Sequence, residues 1–287
     1  MNLFKGNAVA LVTPTTQNDI NYQETDKLIN RVVSGGVSAI VALGSTGEAA
    51  TLSETQKEHF VLHVRKKCNL PLIVGVSSNN PHTVIKNCDT AKRLGADGVL
   101  IATPFYNKCT QDGAYEFFKY IAANISVPFI VYNVPSRTGF NLLPETALRI
   151  LRLNGADGYK EASGNLSQIE KCIRYGLNVY SGDDGLTAPT CMYGGSGVIS
   201  VASNIVPSLM TKITSSFFAG DFREGARVQL DLLPLIQTLF CEVNPIPVRA
   251  ALQLVGIDCG VPRLPITKAS AATVEKLKLQ LKELQVI

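Results

Sequence analysis

The chain has 287 residues, 46% of them hydrophobic and 17% charged, and its 27 Lys and Arg against 23 Asp and Glu leave a net charge of +4. So apolar a composition excludes a disordered chain, and no stretch gathers the basic residues into a nucleic-acid footprint. The longest apolar runs, such as Ala8 to Val12 and Gly98 to Ala102, fall far short of the roughly 18 residues of a membrane span, and the run after Met1 to Asn7 is too short for a secretory signal.

In chain order, the first apolar run, Ala8 to Thr13, predicts a strand, followed by a helical pattern over Tyr22 to Ser34. Strand Ala39 to Leu43 precedes a helix over Ser53 to Cys68, where Ser53 and Gln56 have capping-box spacing. Strand Leu72 to Val76 leads to a helix over Pro81 to Leu94, stopped by Gly95, and strand Gly98 to Ala102 to a helix over Asp112 to Ala123. Strand Phe129 to Asn133 and helix Pro144 to Leu153 follow, and strands Gly158 to Glu161, Asn178 to Ser181 and Gly197 to Val201 bring the count to eight. Continuous apolar runs suit parallel strands covered on both faces. Eight β-then-α steps with short loops predict an α/β fold, a (β/α)8 (TIM) barrel rather than an open doubly wound sheet. After Gly220 only helical patterns remain, at Phe222 to Glu242, Pro247 to Val255 and Ala269 to Leu284. The expected organisation is a catalytic barrel over 1–220 and a C-terminal helical region over 221–287, too small for an independent catalytic domain.

Seven scattered cysteines with no CxxC pair fit a reduced compartment, so the expected location is the cytoplasm. His59 and His63 stand four apart on a predicted helix but lack the glutamate of an HExxH site and an evident third ligand, so no metal site is expected.

Barrel chemistry sits at the C-terminal ends of the strands. After the second strand, Gly44-Ser45-Thr46-Gly47-Glu48 offers hydroxyls and backbone N–H groups to a carboxylate or phosphate, or is an ordinary polar turn. The fifth runs into Tyr132-Asn133-Val134-Pro135-Ser136-Arg137-Thr138-Gly139. There Tyr132 suits a proton relay and Arg137 a carboxylate clamp, the alternative being a packed tyrosine and a surface arginine. The sixth carries the sharpest anomaly, Lys160. Desolvation in a barrel interior lowers a lysine's pKa and yields the neutral amine that a Schiff base needs, whereas a snorkelling, carboxylate-paired lysine is the bland alternative. Glu161 alternates to the other face, toward packing or an ion pair. Ser181-Gly182-Asp183-Asp184 and Gly194 to Ser200 add glycine-rich turns that are weak evidence alone.

Together, GSTGE at 44–48, YNVPSRTG at 132–139, Lys160, SGDD at 181–184 and GVIS at 197–200 resemble the dihydrodipicolinate synthase family, also called 4-hydroxy-tetrahydrodipicolinate synthases. That family belongs to the pyruvate-dependent class I aldolases, with N-acetylneuraminate lyase. The resemblance runs from Phe4-Lys5-Gly6 through Asn244-Pro245-Ile246-Pro247-Val248 to Arg263-Leu264-Pro265. It implies that Lys160 forms an imine with pyruvate, which as an enamine attacks L-aspartate 4-semialdehyde, with no separate cofactor and no metal. Tyr132 and Ser45 would relay protons, with Tyr106 as a third member reaching into a neighbouring subunit's site. Thr46 would help to hold the pyruvate carboxylate, Arg137 the semialdehyde carboxylate, and Gly182 and Ile199 would line the pyruvate pocket. It also implies a homotetramer built as a dimer of dimers, without nucleic-acid or membrane partners, serving the diaminopimelate route of lysine biosynthesis.

Two departures stand out. Ser45 replaces a threonine common in the family, keeping the hydroxyl but losing the methyl that restricts χ1. At the family's feedback positions this chain has Ala49, Ala50, Glu54, Lys57, Asn79, Thr83 and Phe105, with Glu54, Thr83 and Phe105 where lysine-sensitive relatives supply histidine, glutamate and tyrosine. Weak or absent inhibition by L-lysine is therefore expected. The competing readings are a sibling aldolase acting on sialic or 2-keto-3-deoxy sugar acids, disfavoured by Arg137, and a non-catalytic keto-acid-binding barrel, disfavoured by the full set of nucleophile, relay and clamp.

Overall fold

The computed structural model describes residues 2–287. Strands β1 (Gly6–Ala10), β2 (Ala39–Ala42), β3 (Leu72–Gly75), β4 (Gly98–Ala102), β5 (Phe129–Asn133), β6 (Ala156–Glu161), β7 (Val179–Ser181) and β8 (Gly197–Ser200) pair in order, all parallel, and β8 closes on β1. The expected (β/α)8 barrel is therefore the fold of this chain. Helices α1 (Tyr22–Ser34), α2 (Glu54–Lys67), α3 (Pro81–Arg93), α4 (Gln111–Asn124), α5 (Pro135–Thr138) and α6 (Pro144–Leu151) lie between the first six strands. The rest are α7 (Leu166–Arg174), α8 (Thr187–Met192), α9 (Pro207–Phe218), α10 (Phe222–Leu239), α11 (Ile246–Leu254) and α12 (Ala271–Glu283). None among the described residues is long and apolar enough to cross a membrane.

Alternation along each strand sorts side chains into two cores. Ala8, Ala10, Ala39, Ile73, Leu100 and Ile130 fill the barrel with Tyr180, small residues on β1 and β2 leaving room for the rings opposite. The intervening strand positions pack outward against the helices in one larger cluster. Phe4 stacks on Tyr180 with ring centroids 4.2 Å apart and its carbonyl accepts from the Tyr180 hydroxyl at 2.6 Å, stoppering the N-terminal end of the barrel. The opposite end stays open.

Local chemistry accounts for the helix starts. Asn21, Ser53, Asn80, Thr110, Asn165, Asp221 and Ser270 each cap a helix with a side-chain oxygen, and Ser53 with Gln56 forms the full capping box. Boundaries differ where tertiary bonds redirect the backbone. β1 stops at Ala10 instead of Thr13, because the Val12 N–H leaves the ladder for Asn204 Oδ1 (3.0 Å) and the Thr13 hydroxyl donates to the Gly47 carbonyl (2.8 Å). β6 starts at Ala156, before the expected Gly158, with a register shift against Phe129 and Ile130. α10 ends at Leu239, short of Glu242.

The C-terminal helices are bonded into the barrel. Gln229 of α10 accepts from the Ala188 N–H (3.1 Å) and donates to the Asp184 carbonyl (3.2 Å). Arg249 of α11, 3% exposed, donates to Glu48 Oε1 at 2.5 Å and also reaches the Cys259 carbonyl and Thr15 Oγ1.

Candidate active site

Strand pairing sets Tyr132 beside Lys160 and Lys160 beside Tyr180, so three inward residues share one level of the barrel. The Tyr180 ring turns from that level toward Phe4 and seals the interior, whereas Lys160 faces the cavity at the open end. Lys160 is 6% exposed, and its Nζ lies 4.3 Å from the centroid of the Tyr132 ring. Burial pushes the Lys160 ammonium down to about 8; buried Asp184 opposes that shift and Arg137 adds to it. Burial likewise pushes the Tyr132 phenol up to about 12, so it holds its proton at neutral pH. Asp184 is pushed up to about 6 by burial, while hydrogen bonds to Oδ2 from the N–H groups of Val201 (3.0 Å) and Ala202 (2.9 Å) favour its charged form.

Backbone approach at β7 completes the pocket floor. A Cβ on Gly182 would stand 2.6 Å from Ala162 Cβ and 3.0 Å from Lys160 Cε, so only glycine lets this turn close on the lysine. Above it opens a cavity of about 450 Å³, lined by Thr46, Tyr132, Arg137, Lys160, Gly182 and Asn244. Thr46 is buried, in the 3-10 turn Ser45–Gly47, and its Oγ1 accepts from Asn244 Nδ2 at 3.0 Å. Exposed Ser45 lines the same cavity. Arg137 sits on the single turn of α5, started by Pro135 and stopped by Gly139 at φ +69°; its Nη2 donates to the Asn244 carbonyl at 3.0 Å.

Two expected site residues stand apart from this group. Tyr106 is 93% exposed, holds φ +63° and lies outside this cavity. Ile199 is 1% exposed and packs in the barrel interior, its strand position paired with Ala8. Among the described residues Glu161 has no cationic partner within salt-bridge distance; buried on the outer face, it accepts from Asn133 Nδ2 (3.0 Å), Gln168 Nε2 (2.9 Å) and the Ser163 N–H (2.6 Å). Those bonds tie β5, β6 and α7 together one residue beyond Tyr132 and Lys160, fixing both strand ends. Glu48 and Asn244 stand in the motifs quoted above, but nothing in the sequence marked the Asn244–Thr46 and Glu48–Arg249 contacts, since each spans about two hundred residues.

A second cavity of about 430 Å³ adjoins the first, sharing Ser45, Tyr132 and Arg137 and running past Ala49, Ala50, Glu54, Lys57 and Phe105. Its rim is self-paired: Lys57 Nζ bonds Glu54 Oε1 at 2.8 Å, and Asn79 holds the Phe105 backbone through both N–H (2.9 Å) and carbonyl (2.5 Å). The two histidines part company, His59 facing solvent while His63 pairs with Asp26 at 2.6 Å. Among the described residues no group of three or more His, Cys, Asp or Glu could hold a metal ion.

The dihydrodipicolinate synthetase family model matches residues 3–284. A 4-hydroxy-tetrahydrodipicolinate synthase of Clostridium novyi is 42% identical over 283 residues, 97% of this chain and 96% of that one. The crystal structure of the dihydrodipicolinate synthase of Thermotoga maritima superposes with a TM-score of 0.98 at 39% identity, each chain fully covered. That of Cyanidioschyzon merolae, solved with lysine bound, gives 0.95 at 32% identity and also covers both chains fully. With a family match across nearly its whole length and a buried lysine at the open end of its barrel, this chain belongs to the dihydrodipicolinate synthase family.

Proposed function

We propose that this chain is a lyase that condenses pyruvate with L-aspartate 4-semialdehyde to 4-hydroxy-tetrahydrodipicolinate, the entry to the diaminopimelate route of lysine biosynthesis. The observation that carries this reading is Lys160, a buried amine with its ammonium destabilised, facing a cavity that also presents an arginine and a buried threonine hydroxyl. Neutral Lys160 adds to the pyruvate keto carbon and water leaves, giving an imine that draws electrons from the substrate. Loss of a methyl proton gives the enamine, whose carbon bonds to the aldehyde carbon. The semialdehyde's amine then displaces Lys160 from the imine carbon, closing the ring and freeing the enzyme.

Each proton transfer needs a group in reach. Tyr132, protonated and over Lys160, is placed to deliver and recover protons, and the Ser45 hydroxyl in the same cavity extends the path toward solvent. Thr46 holds the pyruvate carboxylate, Gly182 lines the pyruvate pocket, and the planar fork of Arg137 takes the semialdehyde carboxylate. Residues 1–220 act as the catalytic barrel and 221–287 as the helical region that braces its open end. Incubation with pyruvate followed by borohydride reduction tests the core of this reading: a mass adduct at Lys160 is expected, and its absence would remove the imine mechanism. Turnover of aspartate semialdehyde but not N-acetylneuraminate is the expected substrate outcome.

Arg137→Ala separates the two half-reactions. With the pyruvate site intact, borohydride trapping should persist while use of the semialdehyde falls by about 100-fold or more, the worth of a lost charge-assisted pair. Loss of trapping in this variant would refute the role assigned to Arg137.

We further propose a homotetramer, a dimer of dimers, in which Tyr106 completes the relay in a partner's site. Its support is an exposed tyrosine held in left-handed backbone, a conformation that costs about 1–3 kcal/mol unless surrounding structure favours it. A monomer alone by sedimentation at micromolar concentration would count against it. The seven free thiols support a reducing, cytoplasmic setting. For L-lysine, the self-paired rim and the lack of histidine, glutamate and tyrosine at positions 54, 83 and 105 support weak feedback, with half-maximal inhibition expected above about 1 mM; inhibition at tens of micromolar would overturn this.

A further inference from the structure

Asn244 takes no part in the chemistry described above. It belongs to the turn between α10 and α11, in the C-terminal helical region, yet it is only 8% exposed and lines the Lys160 cavity. Its two ends act in different directions. The side chain donates from Nδ2 to Thr46 Oγ1 at 3.0 Å, and the main-chain carbonyl accepts from Arg137 Nη2 at 3.0 Å. Oδ1 is buried without a hydrogen-bond partner among the described residues. An unpaired buried carbonyl is uncommon in folded proteins and points to a constraint other than packing.

The bond to Thr46 has a polarity. A hydroxyl whose oxygen already accepts from a carboxamide has its own proton free to donate elsewhere. For a hydroxyl on the wall of a cavity that receives a carboxylate, donation into the cavity is the orientation that binds. On the other side, the carbonyl holds one arm of the Arg137 fork and leaves its remaining N–H groups to face a ligand.

We propose that Asn244 is a positioning residue for both substrates, its carboxamide orienting the Thr46 hydroxyl toward the pyruvate carboxylate and its carbonyl setting the Arg137 fork for the semialdehyde carboxylate. The inference rests on the function proposed above. It assigns this turn a specificity role and makes the two carboxylate sites neighbours through one residue. Because one link is side chain and the other main chain, substitution separates them: changing the side chain severs the Thr46 link and spares the Arg137 link.

Steady-state kinetics on the full-length enzyme test this. Asn244→Ala should raise KM for pyruvate by about tenfold, the worth of one aligned hydrogen bond, while KM for the semialdehyde stays within about threefold. Asn244→Asp should be worse for pyruvate, since its carboxylate draws the Thr46 proton to itself and repels the substrate. Thr46→Val removes the hydroxyl itself, so it should raise KM for pyruvate at least as much as Asn244→Ala while also sparing the semialdehyde, and the double variant should be no worse than Thr46→Val alone. Should Asn244→Ala fail to fold, Asn244→Asp and Thr46→Val carry the same comparison. Additive losses, or equal increases in both KM values, would overturn the proposal. Borohydride trapping of pyruvate on the wild-type enzyme is run alongside: its failure refutes the imine reading itself, whereas normal trapping with additive variants refutes only the role of Asn244.

Discussion

Lys160→Met is expected to eliminate turnover and pyruvate trapping together, with activity at least about 10⁴-fold below wild type, because among the described residues no other amine faces the cavity to form the covalent intermediate. The wild-type rate should also carry the signature of this amine. With the ammonium pushed down to about 8, about one molecule in ten has neutral Lys160 at pH 7, against about one in three thousand for an ordinary lysine. Initial-rate trapping at subsaturating pyruvate should therefore climb with pH and level off above about 8. A profile still rising tenfold per unit at pH 9 would show that the lysine is not perturbed.

The same shift predicts that Lys160→Met affects stability and activity in opposite directions. Lys160 binds its proton less tightly in the folded state than in the unfolded chain, so between about pH 8 and the ordinary lysine value the unfolded state holds more protons and stability rises with pH. Below pH 8 the full penalty of the buried ammonium is present. Methionine, of similar length and without charge, should thus stabilise the protein near pH 7, by at most about 3 kcal/mol. An inactive variant that melts higher than wild type is the expected outcome; one that melts several degrees lower would mean that Lys160 is held by a partner that balances its burial.

What could be read from the chain and what could not divide along a physical line. Lys160, Tyr132 and Arg137 were legible because each breaks a local rule: a cation inside an apolar strand, a phenol at a strand end, a guanidinium held between proline and glycine turn residues. The eight strands were legible because β-rich runs recur at even spacing, and their ends were not, since a bond such as Val12 to Asn204 spans 192 residues. Helices α5 and α8, of four and six residues, are too short for a periodic signal, and Pro189 interrupts the second. Glu161 was correctly turned outward by alternation, but its amide partners could not be seen until α7 was packed beside it. Tyr106 is the converse, a residue singled out in the sequence that this chain leaves 93% exposed and for which we propose a partner subunit. The contacts of Asn244 and Arg249 were hidden because a helical tail offers no sign of which barrel loop it will touch.

The tail's grip on the barrel gives the second large effect, at Arg249. Arg249 is 3% exposed, Glu48 is 7% exposed, and the 2.5 Å bond between them joins α11 to the turn that carries Ser45 and Thr46. Glu48 holds φ +53°, a left-handed conformation that glutamate does not favour by itself, so the pair also pins the turn's backbone. Burial raises the Glu48 carboxyl, and Arg249, with Arg263, only partly opposes it. The pair is thus no net gain over apolar residues of equal size, yet breaking it is costly, since removing the cation strands a buried carboxylate. Arg249→Met should destabilise the fold by about 3–5 kcal/mol, a fall in Tm of roughly 10 °C for a chain of this size. The sign with pH follows: with its carboxyl raised further above the unfolded value, Glu48 takes a proton in acid, so the deficit shrinks toward pH 5 and grows toward pH 8. Glu48→Gln with Arg249→Met should recover part of the loss, because a neutral amide needs no counter-charge. KM for pyruvate should nevertheless stay raised in the double variant, since the turn bearing Thr46 has lost its tie to α11. A Tm within about 2 °C of wild type for Arg249→Met would show that the other bonds of the turn hold it unaided.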